Sequence, residues 1–584
     1  MQLGIRRIGF LVALAVPIGL ASGGAAWVLL RLIGLVTNLA LFHRVGWSVP
    51  SLAHLAPSPG LVVAALLGAL AVSLIALWAP KVRGHGIPEA MEAVLSRQSR
   101  MRPRTAVAKP VSIAVAIGTG APFGAEGPII VTGGALGSLL GQVVPVTPSE
   151  RKILLACGAA GGTAAVFGTP LAAVVLAIEL LLFEFSVRSL LPIVTSASIA
   201  GGVHVALFGT QPLFHVPPHE FSGAGQLWLF ALLGIACGLL AVVVCRGLFL
   251  VEGLYRRLPF GEFWHPMIGA LGFAIIGLFV PRALGTGYSS IEDVLSDRLT
   301  MTTLALVLVA KLVAWWVALG SGTSGSILAP ILLISGSFGA LLGSLFDAAA
   351  PGVGISVGAM ALVAMAATLG STTGASLTGI VFAFELTRDY DAILPLMLAT
   401  VLANLVAMLL LENNLLTEKL ARGGVGVPKR FEPDVLRNTP VSEVMSRPVT
   451  TIRGDTTIGD ARVRIEAGPH SAYPLVDGEE RCVGIVTRGD LLGARADDHE
   501  PVTHVASLDV VTVTPDDSML TVLERMVEEA VDHLPVVSGE RLVGVCTRTD
   551  VLRARGRHLD HERAQQGWKP SWLQVMRRTR RTNE

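Results

Sequence analysis

The stretch Gly168-Thr-Pro-Leu-Ala-Ala-Val-Val-Leu-Ala-Ile-Glu179-Leu180 returns 206 residues later as Gly374-Ala-Ser-Leu-Thr-Gly-Ile-Val-Phe-Ala-Phe-Glu385-Leu386. The two agree at Gly, Leu, Val, Ala, Glu and Leu. Chance similarity between apolar stretches is the competing account. A carboxylate matched inside both argues against it, because an ionisable residue within a membrane is costly to keep there. Two related halves with helices interrupted by Gly and Pro point to a transporter fold whose site lies at the broken ends.

The composition agrees. Of 584 residues, 52% are hydrophobic and 15% charged, and 64 are Gly. A soluble globular chain carries about 25% charged residues and about 7% Gly. These values exclude a simple soluble enzyme, a disordered protein and a nucleic-acid binder. The charge is also unevenly placed. From Gly426 onward 47 of 159 residues are Asp, Glu, Lys or Arg, against 41 of the first 425. A membrane domain is therefore joined to a soluble one.

Apolar runs lie near 8–36, 60–80, 111–146, 153–183, 190–208, 226–252, 265–281, 303–319, 325–346, 354–385 and 391–411. The first follows Arg6 and Arg7 and is too long for a signal-peptide core, so it reads as an uncleaved span. Basic clusters at Arg97–Lys109 and Arg151–Lys152 mark cytoplasmic loops, with the soluble tail on the same side. The five cysteines show no CxxC spacing and no disulfide framework, which suits a reducing compartment for the tail.

The sharpest chemical signal is Gly124-Ala-Glu126-Gly-Pro128 before the apolar run Ile129–Leu140. Pro128 suits a first helical turn, and Gly127 permits close backbone approach. Helix N-termini present unpaired N–H groups and attract anions. The Glu126 carboxylate can occupy such a site and swing aside once protonated; the plainer alternative is a Glu that only stabilises its own helix. Gly84-His-Gly-Ile-Pro88 offers a second helix start, with His85 as a hydrogen-bond donor, a titratable charge or simply a structural side chain. Gly325-Ser-Ile-Leu-Ala-Pro330 is a third.

In order and spacing these three motifs resemble the anion-site motifs of the CLC family of chloride channels and anion/proton exchangers. Thr378-Gly-Ile-Val-Phe-Ala-Phe-Glu385 resembles that family's second-half helix. The resemblance covers roughly residues 5–422. It implies an all-α polytopic membrane domain with an inverted internal repeat, one pore per subunit, and a homodimer. It also implies Glu126 as the gating glutamate. The anion-binding positions would be His85, Gly86, Ile87, Gly127, Ile327, Leu328 and Leu416.

Departures from the family pattern bear on mechanism. His85 stands for the usual Ser, Ala125 for a basic residue, Leu328 for Phe and Leu416 for the pore Tyr. Exchangers typically carry an inner proton-transfer glutamate one position after the Glu matched by Glu179; here that position is Leu180, which carries no proton. Glu179 turned inward is a substitute, though a helix-end pairing role fits it better. The expectation drawn from Leu180 is passive conduction of chloride or a similar small anion, the alternative being anion/proton antiport with protons as second substrate.

The tail contains its own repeat. Tyr473-Pro-Leu-Val-Asp-Gly and Leu534-Pro-Val-Val-Ser-Gly each open a strand, a tight turn at Asp477-Gly478 or Ser538-Gly539, a second strand and a Thr-x-x-Asp step into a helix. A helix over Met519–Val531 precedes the second pair. These units resemble paired CBS domains, α+β in class and cytoplasmic. By that resemblance Thr487, Asp490, Thr547 and Asp550 are candidates for binding an adenine nucleotide, against a purely structural pair. The domains are expected at 1–425 (membrane), 426–437 (linker), 438–497 and 498–557 (CBS 1 and 2), with a basic tail at 558–584. That tail carries Trp568 and Trp572 before Arg577-Arg-Thr-Arg-Arg581 and reads as solvated and disordered, or as a contact with anionic lipid.

A reading from another class is a CBS-linked intramembrane metalloprotease, which needs His-Glu-x-x-His. His219-Glu220 and His499-Glu500 both lack that spacing, and no phosphate-binding loop supports a pump. The chain therefore reads as an integral protein of the cell (plasma) membrane rather than an enzyme, with no metal, no required cofactor and no nucleic-acid partner.

Overall fold

The computed structural model describes residues 2–214, 226–350, 356–425, 436, 439–493 and 496–555. Most of the expected linker, the basic tail with Trp568 and Trp572, and His219-Glu220 lie outside the described residues. The chain forms two units, Met1–Phe431 and Glu432–Glu584.

The first unit is helical throughout. Its first half runs α1 (Gln2–Phe42), α2 (Pro59–Trp78), a 3-10 turn (Pro80–Val82), α3 (Ile87–Ser96), α4 (Pro103–Gly118), α5 (Glu126–Val143), α6 (Pro148–Phe167), α7 (Pro170–Ala177) and α8 (Val187–Phe208). The second half repeats the order: α9 (Leu227–Arg256), α10 (His265–Phe279), a 3-10 turn (Pro281–Ala283), α11 (Tyr288–Leu295), α12 (Met301–Gly320), α13 (Leu328–Ala349), α14 (Val357–Thr373), α15 (Ser376–Thr387) and α16 (Ile393–Leu410). A short α17 (Thr417–Arg422) follows.

Seven described helices are long and apolar enough to cross a bilayer. The apolar runs 111–146, 153–183 and 354–385 each divide into two helices at a turn. Hydropathy does not reveal those breaks, because the breaking residues are themselves small and weakly polar. Gly168 and Gly374 end α6 and α14 in the left-handed conformation, at φ +67° and +74°, where glycine carries no Cβ penalty. Nearly every residue of α6 and α14 is buried. These two helices form the interior, and the irregular backbone beside them is shielded from lipid.

The two halves exchange caps. The Glu179 carboxylate, in a π-helical turn over Ile178–Leu182, accepts from Leu377 N (3.2 Å), Thr378 N (2.8 Å) and Thr378 Oγ1 (2.6 Å) at the start of α15. Glu385, at the far end of α15, accepts from Leu171 N (3.1 Å) and Ala172 N (2.7 Å) at the start of α7. Each helix end thus closes the other's beginning, which requires α7 and α15 to run antiparallel. The repeat is inverted. Glu179 faces this partner helix, so its matched position in the sequence reflects the pseudo-twofold contact.

Two buried lysines obey the same symmetry. Lys109 Nζ donates to Val82 O (2.7 Å) and Gly84 O (2.9 Å), and Lys311 Nζ to Ala283 O (3.0 Å) and Gly285 O (2.8 Å). Each ammonium holds the loop that follows a 3-10 turn.

In the tail unit, β1 (Ile452–Arg453) pairs parallel with β2 (Ala472–Val476), which pairs antiparallel with β3 (Cys482–Thr487). The second repeat pairs β4 (His533–Ser538) antiparallel with β5 (Arg541–Thr547), and both hairpins carry a bulge at the equivalent place. Their turns differ from the expected dipeptides. In the second, Ser538 pairs with Arg541 and the turn is Gly539-Glu540, with Gly539 at φ +65°. In the first, Asp477 N bonds Arg481 O, and the Asp477 side chain accepts from Glu479 N and Arg481 N, both at 2.9 Å. The longer loop follows from that side-chain turn, and its donors, led by the Arg481 N–H, hold the Asp477 carboxyl below the usual carboxylate range. The hairpin tips join through Cys482 N to Glu540 O (3.1 Å) and Leu542 N to Glu480 O (3.2 Å). The helix expected over Met519–Val531 ends at Glu528. Burial pushes the Cys546 thiol up to about 12, which makes it a core side chain rather than a reactive one.

Removing either exchanged cap leaves two N–H groups of a broken helix without partners. Glu179→Ala and Glu385→Ala should each lower unfolding free energy by about 1–3 kcal/mol, read as a fall in thermal midpoint. Anion selectivity should be unchanged, and a loss of selectivity at full stability would contradict the capping role.

Candidate anion site

Three loops meet at one point. In the first, Gly84 (φ +107°) and Gly86 (φ +95°) flank His85 in a backbone conformation only glycine adopts readily, and α3 starts immediately after. Glu89 Oε2 accepts from Gly86 N at 2.6 Å and closes that start. The second loop delivers Glu126 to the head of α5, and the third brings Ile327 and Leu328 to the head of α13. Gly325 N donates to Gly84 O at 3.3 Å, joining the third loop to the first.

The contact between the first two loops is backbone against backbone. A Cβ on Gly86 would lie 2.4 Å from Gly127 O, and one on Gly127 would lie 2.4 Å from His85 O. The Ser326 hydroxyl ties the second loop to the third, accepting from Gly127 N at 3.1 Å and from Leu328 N at 3.4 Å. Trp315 Nε1 fixes Ser326 in turn through its carbonyl at 3.3 Å. His85, Gly86, Ile87, Gly127, Ile327 and Leu328 are thereby assembled from distant parts of the chain. Of these backbone donors, Gly86, Gly127 and Leu328 already serve Glu89 or Ser326.

Leu416 is buried at the N-terminus of α17, which packs against α3 and pairs Lys419 with Glu89 at 2.6 Å. Its position contributes an apolar surface and no hydroxyl. Leu180 is buried in the π-helical turn, which packs on α3, and Glu179 faces α15. Neither presents a carboxylate to the meeting point.

Glu126 is fully buried. Its Oε1 accepts from the Tyr288 hydroxyl at 2.9 Å, while Oε2 meets no hydrogen-bond donor among the described residues. The carboxylate folds back over Gly124, where a Cβ would collide with Oε2. Tyr288 opens α11 and packs edge-on against Phe167 at 6.5 Å. It also lines a cavity of about 200 Å³ with Thr37, Ser51, Arg282, Thr286 and Ser290.

Tyr288 is the functional residue that motif reading missed. The available signal was Gly285-Thr-Gly287-Tyr288, which stands to Lys311 as Gly84-His-Gly86-Ile87 stands to Lys109. Without the Pro that marks the other helix starts, this second Gly-x-Gly does not stand out.

In the tail, Asp490 Oδ2 accepts from Thr487 N and Thr487 Oγ1, both at 2.8 Å, and Asp550 Oδ2 accepts from Thr547 N (2.9 Å) and Oγ1 (2.8 Å). The two sites then diverge. Asp550 is buried, and its second oxygen pairs with Arg553 at 2.8 Å. Asp490 is half-exposed, with its second oxygen meeting no donor among the described residues.

Comparison with known proteins gives a consistent set of matches. Residues 67–408 match the voltage gated chloride channel family, and 441–497 and 502–557 each match the CBS domain. The chain is 31% identical over 357 residues to the H(+)/Cl(-) exchange transporter ClcA of Vibrio campbellii, covering 60% of this chain and 76% of that one. It is 29% identical over 381 residues to a putative chloride channel protein ClcB-like of Ralstonia nicotianae, covering 65% and 86%. Among solved structures, a slow cyanobacterial Cl-/H+ antiporter superposes with a TM-score of 0.60 at 25% identity, over 71% of this chain and 96% of its own. A eukaryotic CLC transporter shares the fold over 94% and 98%, with a TM-score of 0.57 at 21% identity.

The Tyr288 hydroxyl donates to Glu126 Oε1 at 2.9 Å. A bond to a charged group contributes about 1.5–3 kcal/mol, so Tyr288→Phe should release the carboxylate and raise anion flux severalfold. Efflux from liposomes measures this, and unchanged flux would show that the Tyr288 hydrogen bond does not hold Glu126 in place.

Proposed function

Because this chain belongs to the voltage-gated chloride channel family and carries a CBS pair, we propose that it exchanges chloride or a similar small anion for protons across a membrane. The observation that carries this reading is the buried Glu126 carboxylate at the point where the heads of α3, α5 and α13 converge. An anion and the carboxylate compete for one set of helix N-termini, and protonation of Glu126 decides which is held.

Passive conduction was expected from Leu180 alone. Relatives named as H+/Cl- exchangers favour the antiport alternative instead. The physical reason for the change is that an apolar residue at one position removes one proton carrier and leaves other routes open. The metalloprotease reading finds no support in the family match.

The finer parts of the proposal rest on sequence features. The protein works in the cell membrane, with the CBS pair cytoplasmic on the side of the basic clusters Arg97–Lys109 and Arg151–Lys152. It works as a homodimer, as the family resemblance implies. An adenine nucleotide binds at Thr487 and Asp490, and the open oxygen of Asp490 supports that site over Thr547 and Asp550.

In proteoliposomes carrying a chloride gradient, the full-length protein should drive protons uphill. Glu126→Gln and Glu126→Ala should abolish that movement and leave a chloride flux that no longer follows pH. Proton pumping by either variant would overturn the role given to Glu126. For the tail, calorimetry on the full-length protein with ATP should show at least tenfold weaker binding in Asp490→Ala, with a smaller effect in Asp550→Ala. The reverse order would reject the assignment.

A further inference from the structure

A proton leaving Glu126 towards the tail side needs a titratable carrier, because the apolar interior offers none of its own. Leu180 is not one, and Glu179 is engaged with α15. The structure places a different pair of titratable groups beside the anion site.

His85 is buried to 4% exposure in the Gly84–Gly86 loop, and its carbonyl packs against Gly127, the neighbour of Glu126. Its Nε2 lies 3.8 Å from Glu252 Oε1, and its Nδ1 has no hydrogen-bond partner among the described residues. Glu252 is carried on α9 and keeps 21% of its side chain exposed. Arg422 of α17, the last helix of this unit before the soluble tail, holds it at 3.0 Å. One ring nitrogen therefore faces a carboxylate beside α17, while the other is left unsatisfied inside the protein among the described residues. A buried polar atom without a partner is costly, and its retention calls for a reason.

We propose that Glu252 and His85 form an inner proton relay that replaces the carboxylate missing at position 180. This rests on the exchanger reading given above and adds the route to it. A proton from water at the exposed edge of Glu252 is taken up by its carboxylate, which passes it to Nε2 of the neutral imidazole. The resulting imidazolium releases the Nδ1 proton to the Glu126 carboxylate across the anion site. One proton enters and one leaves, no electrons move, and the ring, left as the Nε2–H tautomer, exchanges its remaining proton from Nε2 to Nδ1 before the next cycle. The same path run backwards carries protons the other way.

The charges facing His85 come from four elements: Glu252 on α9, Glu89 on α3, Lys419 on α17 and Lys109 on α4. Arg422 and Lys419 balance the two carboxylates as separate ion pairs. Protonation of Glu252 therefore alters a local balance that His85 senses directly.

The test uses full-length protein in proteoliposomes, with chloride and proton fluxes recorded together. Glu252→Gln and His85→Ala should each lower the proton-to-chloride ratio at least tenfold relative to wild type. A structural role for either residue would lower both fluxes in proportion and leave the ratio intact. If wild type moves no protons uphill, the exchanger reading fails and the relay fails with it. If wild type pumps and both variants keep its ratio, the relay alone is overturned. Should His85→Ala transport nothing, Glu252→Gln decides by the same ratio.

Discussion

Breaking a helix inside an apolar layer strands backbone N–H and C=O groups where no water reaches them, and the membrane unit is organised around that cost. Each break has a dedicated partner. Lys109 and Lys311 take up the carbonyls of the two Gly-x-Gly loops. Glu179 and Glu385 take up the N–H groups of α15 and α7, and Glu89 and Ser326 serve the heads of α3 and α5. Donors left over at the converging helix heads make up the candidate anion site. Function here is the fraction of a structural debt left unsettled on purpose.

Much of this was legible in the sequence, for reasons that particular residues make plain. Pro88, Pro128 and Pro330 signal helix starts, and the Gly residues before them signal tight turns, so the three loops stood out. The matched Glu179 and Glu385 announced the repeat, yet their mutual exchange depends on an antiparallel packing that no local pattern encodes. Tyr288 was invisible because a tyrosine after Gly287 carries no motif, and only its distance to Glu126 gives it meaning. The His85–Glu252 approach joins residues far apart in the chain, beyond what spacing can disclose. In the tail the Thr-x-x-Asp steps were readable, whereas the burial that separates Asp550 from Asp490 is a property of packing.

The two halves keep a common scaffold and divide the chemistry between them. Lysine, 3-10 turn and Gly-x-Gly loop recur in both. The residue after each loop differs: Ile87 is a buried hydrocarbon, whereas Tyr288 donates its hydroxyl to Glu126. The middle residue differs as well, with His85 facing Glu252 on one side and Thr286 lining the cavity beside Tyr288 on the other. The repeat shares its geometry, and two positions per loop set the halves apart.

The buried Lys311 has a consequence for electrical balance. It lies within Coulomb range of Glu126, and among the described residues its Nζ donates to two backbone carbonyls. In its charged form it requires a negative neighbour, because a low-dielectric interior tolerates no lone charge. When Glu126 takes up a proton that neighbour disappears, and an incoming anion is the species able to restore neutrality. Under the exchange proposed above, proton arrival at Glu126 and anion arrival at the helix heads would be coupled through this one buried side chain.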